Sequence, residues 1–170
     1  MARTIGIGNQ DFETIRREGY FYIDKTDLIR QWWERGDGVT LITRPRRFGK
    51  TLNMSMLEKF FSVDYKDRGD LFCGLKIWES KKYIDLQGTY PVIFLSFAGV
   101  KEGTYADARE SMCRTIEEQY NKYDRLINGD LLNEREKAFC RSISANMSDS
   151  MAAASLRALS DFLGRYYGKK

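Results

Sequence analysis

The 170 residues carry 28 Lys+Arg against 24 Asp+Glu, a formal net charge of +4, and 42% of them are hydrophobic. That hydrophobic share excludes an intrinsically disordered chain, which stays open through low hydrophobicity and high net charge. The length suits one domain spanning 1–170, on a prior of about 150 residues per domain. No apolar run approaches the ~20 residues of a membrane span, and Met1-Ala2-Arg3-Thr4 lacks the apolar core of a secretory signal, so a cytoplasmic chain away from membranes is expected.

Cys73, Cys113 and Cys140 are odd in number and widely spaced, the pattern of reduced, buried thiols rather than a disulfide framework. No CxxC pair exists for structural zinc. The chain has no histidine, which excludes a Ser-His-Asp or Cys-His site and a His-ligated metal within it. Chemistry must rest on Lys, Arg, carboxylates, hydroxyls and backbone amides.

In chain order, Asp11 to Gly19 reads as a short helix with Asp11 as N-cap and Gly19 as stop. Tyr20-Phe21-Tyr22-Ile23 is aromatic and β-branched, as a short strand requires. A second helix follows, capped by Thr26, with Leu28, Ile29, Trp32 and Trp33 on one face and Gly36 and Gly38 at its end. Val39 to Thr43 reads as a strand, and Leu52, Met56, Leu57, Phe60 and Phe61 mark one face of the helix that comes after the intervening basic loop. Residues 62–89 have weak patterning, although Leu71, Phe72, Leu75, Ile77 and Trp78 are core candidates. Pro91 to Phe97 is nearly continuously apolar, as in a strand buried on both faces of a parallel sheet. Three helices close the chain, over about 104–123, 133–145 and 148–167, the last with Leu156, Leu159, Phe162, Leu163 and Tyr166 as its stripe and Gly168 as its terminator.

The loop between the 39–43 strand and its helix is Arg44-Pro45-Arg46-Arg47-Phe48-Gly49-Lys50-Thr51. Its end matches the last three positions of G-x-x-x-x-G-K-[ST], with Arg44 in place of the first glycine. Gly49 lets backbone approach a phosphate without a Cβ in the way. Amides at the start of the next helix point at an anion, Lys50 reaches the β and γ phosphates, and the Thr51 hydroxyl ligates Mg²⁺. Four cations, Arg44, Arg46, Arg47 and Lys50, fall within seven residues. Contact with a nucleic-acid backbone is another reading of them, and ion pairs or solvation of some of these arginines is the plain one.

The strings Tyr22-Ile23-Asp24-Lys25-Thr26, Leu41 to Leu52, Phe60-Phe61, Leu71 to Ile77 and Tyr90 to Ile93 resemble the bacterial and archaeal predicted AAA-ATPase-like family across nearly the whole chain. In that family the Arg at the head of the loop is usual. The resemblance implies an α/β fold, a P-loop NTPase-like parallel sheet with flanking helices, here truncated before the acidic (Walker B) strand. It implies an ATP-binding module, the N-terminal part of a larger ATPase, using ATP and Mg²⁺, with Gly49, Lys50 and Thr51 at the phosphate and metal positions. It also marks Asp24-Lys25-Thr26 as a signature without an assigned role, beside the plain reading that Thr26, with Asp24, caps a helix. Many relatives carry a C-terminal domain resembling restriction-type nucleases; a missing C-terminal domain and self-association stand beside nucleotide among the expected partners.

Neither the 39–43 nor the 91–97 strand ends in Asp or Glu, and Glu102 is the nearest candidate after the second. Hydrolysis needs Mg²⁺ held from two sides, so the chain as given is expected to bind ATP without turning it over. The alternative is a nucleic-acid- or partner-binding domain built on a degenerate basic loop, with weak and unspecific nucleic-acid binding at this net charge. A remnant of a disrupted gene without activity is the third possibility.

Overall fold

The computed structural model describes residues 4–43, 45 and 47–169. The described residues form eight α-helices and three 3₁₀ turns, with no sheet. The one β feature among them is an isolated parallel bridge between Ser62 and Tyr90. The expected α/β parallel-sheet, P-loop-type fold is therefore corrected to a helical one. Segments 20–23, 39–43 and 91–97 carry β-forming residues, but strand propensity measures fit on a pleated, half-buried surface, and a strand forms only with a partner ladder. None pairs among the described residues. Val39 and Leu41 are 90% and 82% exposed, and Thr40 is held by a hydrogen bond from the Trp32 indole N–H at 3.1 Å. Residues 91–95 are half-buried and 96–97 exposed, not enclosed on two faces.

The chain divides into two compact units, one up to Val92 and one from Ile93 onward. In the first, α1 (Phe12–Arg17) is capped by Asp11, whose carboxylate accepts from the Thr14 amide as expected. Helix α2 (Asp27–Arg35) ends at Gly36 in the left-handed conformation, and α3 (Lys50–Phe61) begins at Gly49, also left-handed. 3₁₀ turns at Val63–Tyr65, Gly69–Phe72 and Lys76–Glu79 precede α4 (Lys81–Leu86), resolving the weakly patterned stretch into tight turns.

The core of this unit is aromatic. Phe72 stacks on Phe12 with centroids 5.2 Å apart and receives Phe60 edge-on at 5.1 Å, while Trp33 stacks on Phe61 at 5.6 Å. Such pairs add about 0.5–1.5 kcal/mol beyond their burial. Helix α3 also buries Ser55 and Lys59. The Ser55 hydroxyl donates to Asp11 and accepts from the Phe12 amide, tying α1 to α3. The Lys59 ammonium donates to Tyr65 and Glu58, so the buried charge is paired.

In the second unit, α5 (Tyr105–Lys122), α6 (Asp124–Ile127), α7 (Glu134–Arg141) and α8 (Asp149–Tyr167) enclose a separate core. Thr104 and Ser148 cap α5 and α8, Asn133 and Glu136 form a capping box on α7, and Gly168 ends α8 left-handed. Helix α7 stops at Arg141, short of the expected residue 145, and Tyr166 is 54% exposed rather than part of the buried stripe. Cys113 and Cys140 are buried thiols as expected, whereas Cys73 of the first unit is exposed.

Segment 88–90 is stitched to the end of α3, the Gly88 and Tyr90 amides donating to the Phe60 and Phe61 carbonyls. Gly88 has φ +67°, and a Cβ there would stand 2.4 Å from the Lys66 Cα. Gly74 has φ +76° with open space around it. Gly74→Ala is expected to cost about 1–2 kcal/mol from the left-handed backbone alone. Gly88→Ala adds about 1–3 kcal/mol of overpacking to that. Urea unfolding of the two variants checks the order, and equal losses would contradict it.

Candidate functional site

The loop that begins α3 is built from two left-handed residues. Gly49 has φ 74° and ψ 21°, and Arg47 has φ 68°, the one non-glycine at positive φ among the described residues. A side-chain-bearing residue in this region stores strain of order 1–3 kcal/mol, and such residues gather at ligand sites. The Asn53 amide donates to the Gly49 carbonyl at 2.9 Å, closing the first turn of α3. Amides ahead of that turn have no acceptor within the helix.

The Lys50 ammonium turns back over the loop and donates to the Pro45 carbonyl at 2.9 Å. Arg47, Phe48 and Thr51 are exposed, and Gly49 and Lys50 are half-buried. Arg44 and Arg46 lie outside the described residues. The structure thus places Pro45, Gly49 and Lys50 together.

The Asp24-Lys25-Thr26 signature lies beside this loop. Thr26 is fully buried and stands at the N-cap of α2, yet its side chain caps nothing there. Its hydroxyl donates to Asp24 Oδ1 at 2.6 Å and accepts from the Ile77 amide at 3.2 Å. Asp24 Oδ1 also accepts from the Thr26 amide, and Asp24 Oδ2 from the Lys76 amide, each at 2.8 Å. The capping role expected of Thr26 is replaced by a latch between two segments distant in sequence. Burial pushes the Asp24 carboxyl up, but the hydrogen bonds from Lys76 and Thr26 outweigh it and hold its pKa below the ordinary carboxylate value.

Tyr22 braces the same turn. Its hydroxyl donates to the Met56 sulfur on α3 at 3.2 Å and accepts from the Lys25 amide at 3.4 Å. Burial raises the phenol to about 12. With its neighbours held this way, the Lys25 ammonium comes to 3.5 Å from the point a Cβ on Gly49 would occupy. This juxtaposition carries no sequence signal, because Lys25 and Gly49 meet through packing of the 22–26 turn on α3.

The donor set of the loop suits an anion: backbone amides at a helix start together with cations of both Lys and Arg type. The Thr51 hydroxyl is of the chemical kind to meet a magnesium ion carried by phosphates. Among the described residues no group of three or more Cys, Asp or Glu side chains is arranged to hold a metal. Glu102, the acidic candidate after the 91–97 segment, accepts a hydrogen bond from the Ser111 hydroxyl of α5 at 2.9 Å.

The family described as "Predicted AAA-ATPase" matches residues 6–164, and the chain belongs to that family. A curated relative from Azotobacter chroococcum mcd 1, described as an uncharacterized protein in the vnfD 5′ region, is 32% identical over 120 residues, covering 69% of this chain and 22% of that protein. The matched stretch is thus about a fifth of that relative's length. No solved structure matches the chain. Among the described residues no helix is long and apolar enough to cross a membrane.

Two outcomes follow from the latch. Thr26→Val leaves the Ile77 amide without its acceptor and is expected to cost about 1–3 kcal/mol in denaturant unfolding. A carboxylate whose native pKa lies below its unfolded value adds stability that is present above the unfolded pKa and is lost as pH falls through the native one. The stability gap between wild type and Asp24→Asn is therefore expected to be widest above pH 5 and to close as pH falls below about 4. A gap that does not change with pH in thermal unfolding would contradict the role assigned to Asp24.

Proposed function

We propose that the loop from residue 44 to residue 51 binds the phosphates of ATP, with Mg²⁺ accompanying the nucleotide. The observation that supports this most is the Gly49-Lys50 pair. Gly49 opens a 12-residue helix in the left-handed conformation, and the Lys50 ammonium folds back onto the loop ahead of its own helix. In this reading the first-turn amides of α3 and Lys50 meet phosphate oxygens, and Gly49 keeps the approach free of a Cβ. Arg47 adds positive charge, with Arg44 and Arg46 joining it on the sequence alone. Pro45 and Phe48 shape the loop, and Thr51 meets the metal. ATP supplies the polyanion, and the chain supplies donors and cations fixed at one helix start. Family membership is consistent with nucleotide use.

The proposal is one of binding. Calorimetric titration with ATP and Mg²⁺ is expected to show Lys50→Ala binding about ten- to a hundredfold more weakly than wild type, the loss of one hydrogen bond to a charged group. Equal affinity in the two proteins would remove the assignment. A salt series separates a nucleic-acid backbone from a nucleotide as ligand. Backbone neutralisation weakens steeply with salt and needs no Mg²⁺, whereas ATP binding at this loop is expected to respond to Mg²⁺ at constant ionic strength.

A further inference from the structure

We propose that Lys25, reaching the loop from the turn before α2, is a second phosphate-contacting lysine of this site. The inference rests on the anion-binding reading of the loop and names a residue that reading does not contain. Its ground is the position of the Lys25 ammonium, 3.5 Å from where a Gly49 Cβ would stand. Any anion seated over Gly49 lies within reach of that ammonium.

Charge supports the assignment. The Lys25 side chain is half-buried. Among the described residues it makes no ion pair or side-chain hydrogen bond, whereas the half-buried Arg68 and Arg109 each pair with a carboxylate. No ion pair joins it to the neighbouring Asp24, whose oxygens accept instead from Thr26 and the Lys76 amide. The loop brings no carboxylate either: residues 38–57 contain neither Asp nor Glu. An ammonium from one element is thereby set against a loop carrying Arg47 and Lys50. Like charges gathered at one point repel, and an anion with several oxygens reverses the sign of that interaction.

Rigidity supports it as well. Asp24 and Thr26 are locked to the amides of Lys76 and Ile77, and the Lys25 amide is held by Tyr22. The ammonium is therefore delivered by a fixed backbone, which reduces the entropy lost when a ligand binds. The chemistry that fits is a phosphate group with free oxygens, as in a polyphosphate chain, rather than a flat aromatic base.

The test uses tripolyphosphate and ATP with Mg²⁺ as probes on wild type, Lys25→Met and Lys25→Arg. Lys25→Met is expected to lose about tenfold or more in affinity for both probes, with an unchanged unfolding midpoint, and Lys25→Arg to recover most of it. A second readout uses the unsubstituted protein. Acetylation of Lys25, followed by peptide mass analysis, is expected to slow several-fold when tripolyphosphate is added. Wild-type affinity in Lys25→Met, or unprotected acetylation of Lys25 under saturating probe, would overturn the role of Lys25 while leaving the loop reading in place. Failure of the wild-type protein to bind either probe would overturn both.

Discussion

Burial of the Thr26 hydroxyl is the constraint on which the rest of the site depends. A fully buried hydroxyl must be satisfied, and here it is satisfied twice, donating to Asp24 and accepting from the Ile77 amide. Those bonds hold the 22–26 turn against the 3₁₀ turn at Lys76–Glu79, while Tyr22 holds it against α3 through Met56. Only with the turn pinned at both ends does Lys25 come to rest at Gly49. A helix start that would otherwise be a lone basic loop becomes a place where two segments present cations together.

The helices were legible wherever their ends are fixed by local chemistry. Asp11, Thr104, Asn133 and Ser148 each accept from an amide three residues on. Gly36 and Gly168 close α2 and α8 in the left-handed region that glycine adopts at low cost. These events involve neighbours in the chain, so a reader of the sequence sees both partners. A strand is different, because its hydrogen bonds go to a segment that can be anywhere. Val39, Leu41 and the 91–97 run have the side chains of strands, yet no ladder forms among the described residues. Thr26 stands at the N-cap read from the sequence, but its side chain makes no capping bond, for a related reason. It has the residue type and position of an N-cap, but the Ile77 amide competes for the same oxygen from across the fold.

The site was legible in part. Gly49, Lys50 and Thr51 stand out by spacing, and the structure puts them at the first turn of α3. Lys25 was marked as part of a signature but could be given no task, since its nearness to Gly49 is a product of tertiary packing. Arg47 adds a further feature hidden from the sequence, a positive φ in a residue that does not favour it. The chain belongs to the "Predicted AAA-ATPase" family, and its described residues form a helical framework rather than the sheet that the family resemblance had implied.

Anion binding where the 22–26 turn meets the start of α3 is the proposal that gives these residues a common task. Backbone amide resonances followed during titration with tripolyphosphate test it most directly, because they report position as well as affinity. Saturable shifts are expected that are largest at Gly49, Lys50, Thr51 and Leu52, extend to Lys25, and are small from residue 104 onward. Saturable shifts centred elsewhere, with the amides of 49–52 and 25 unmoved, would contradict it.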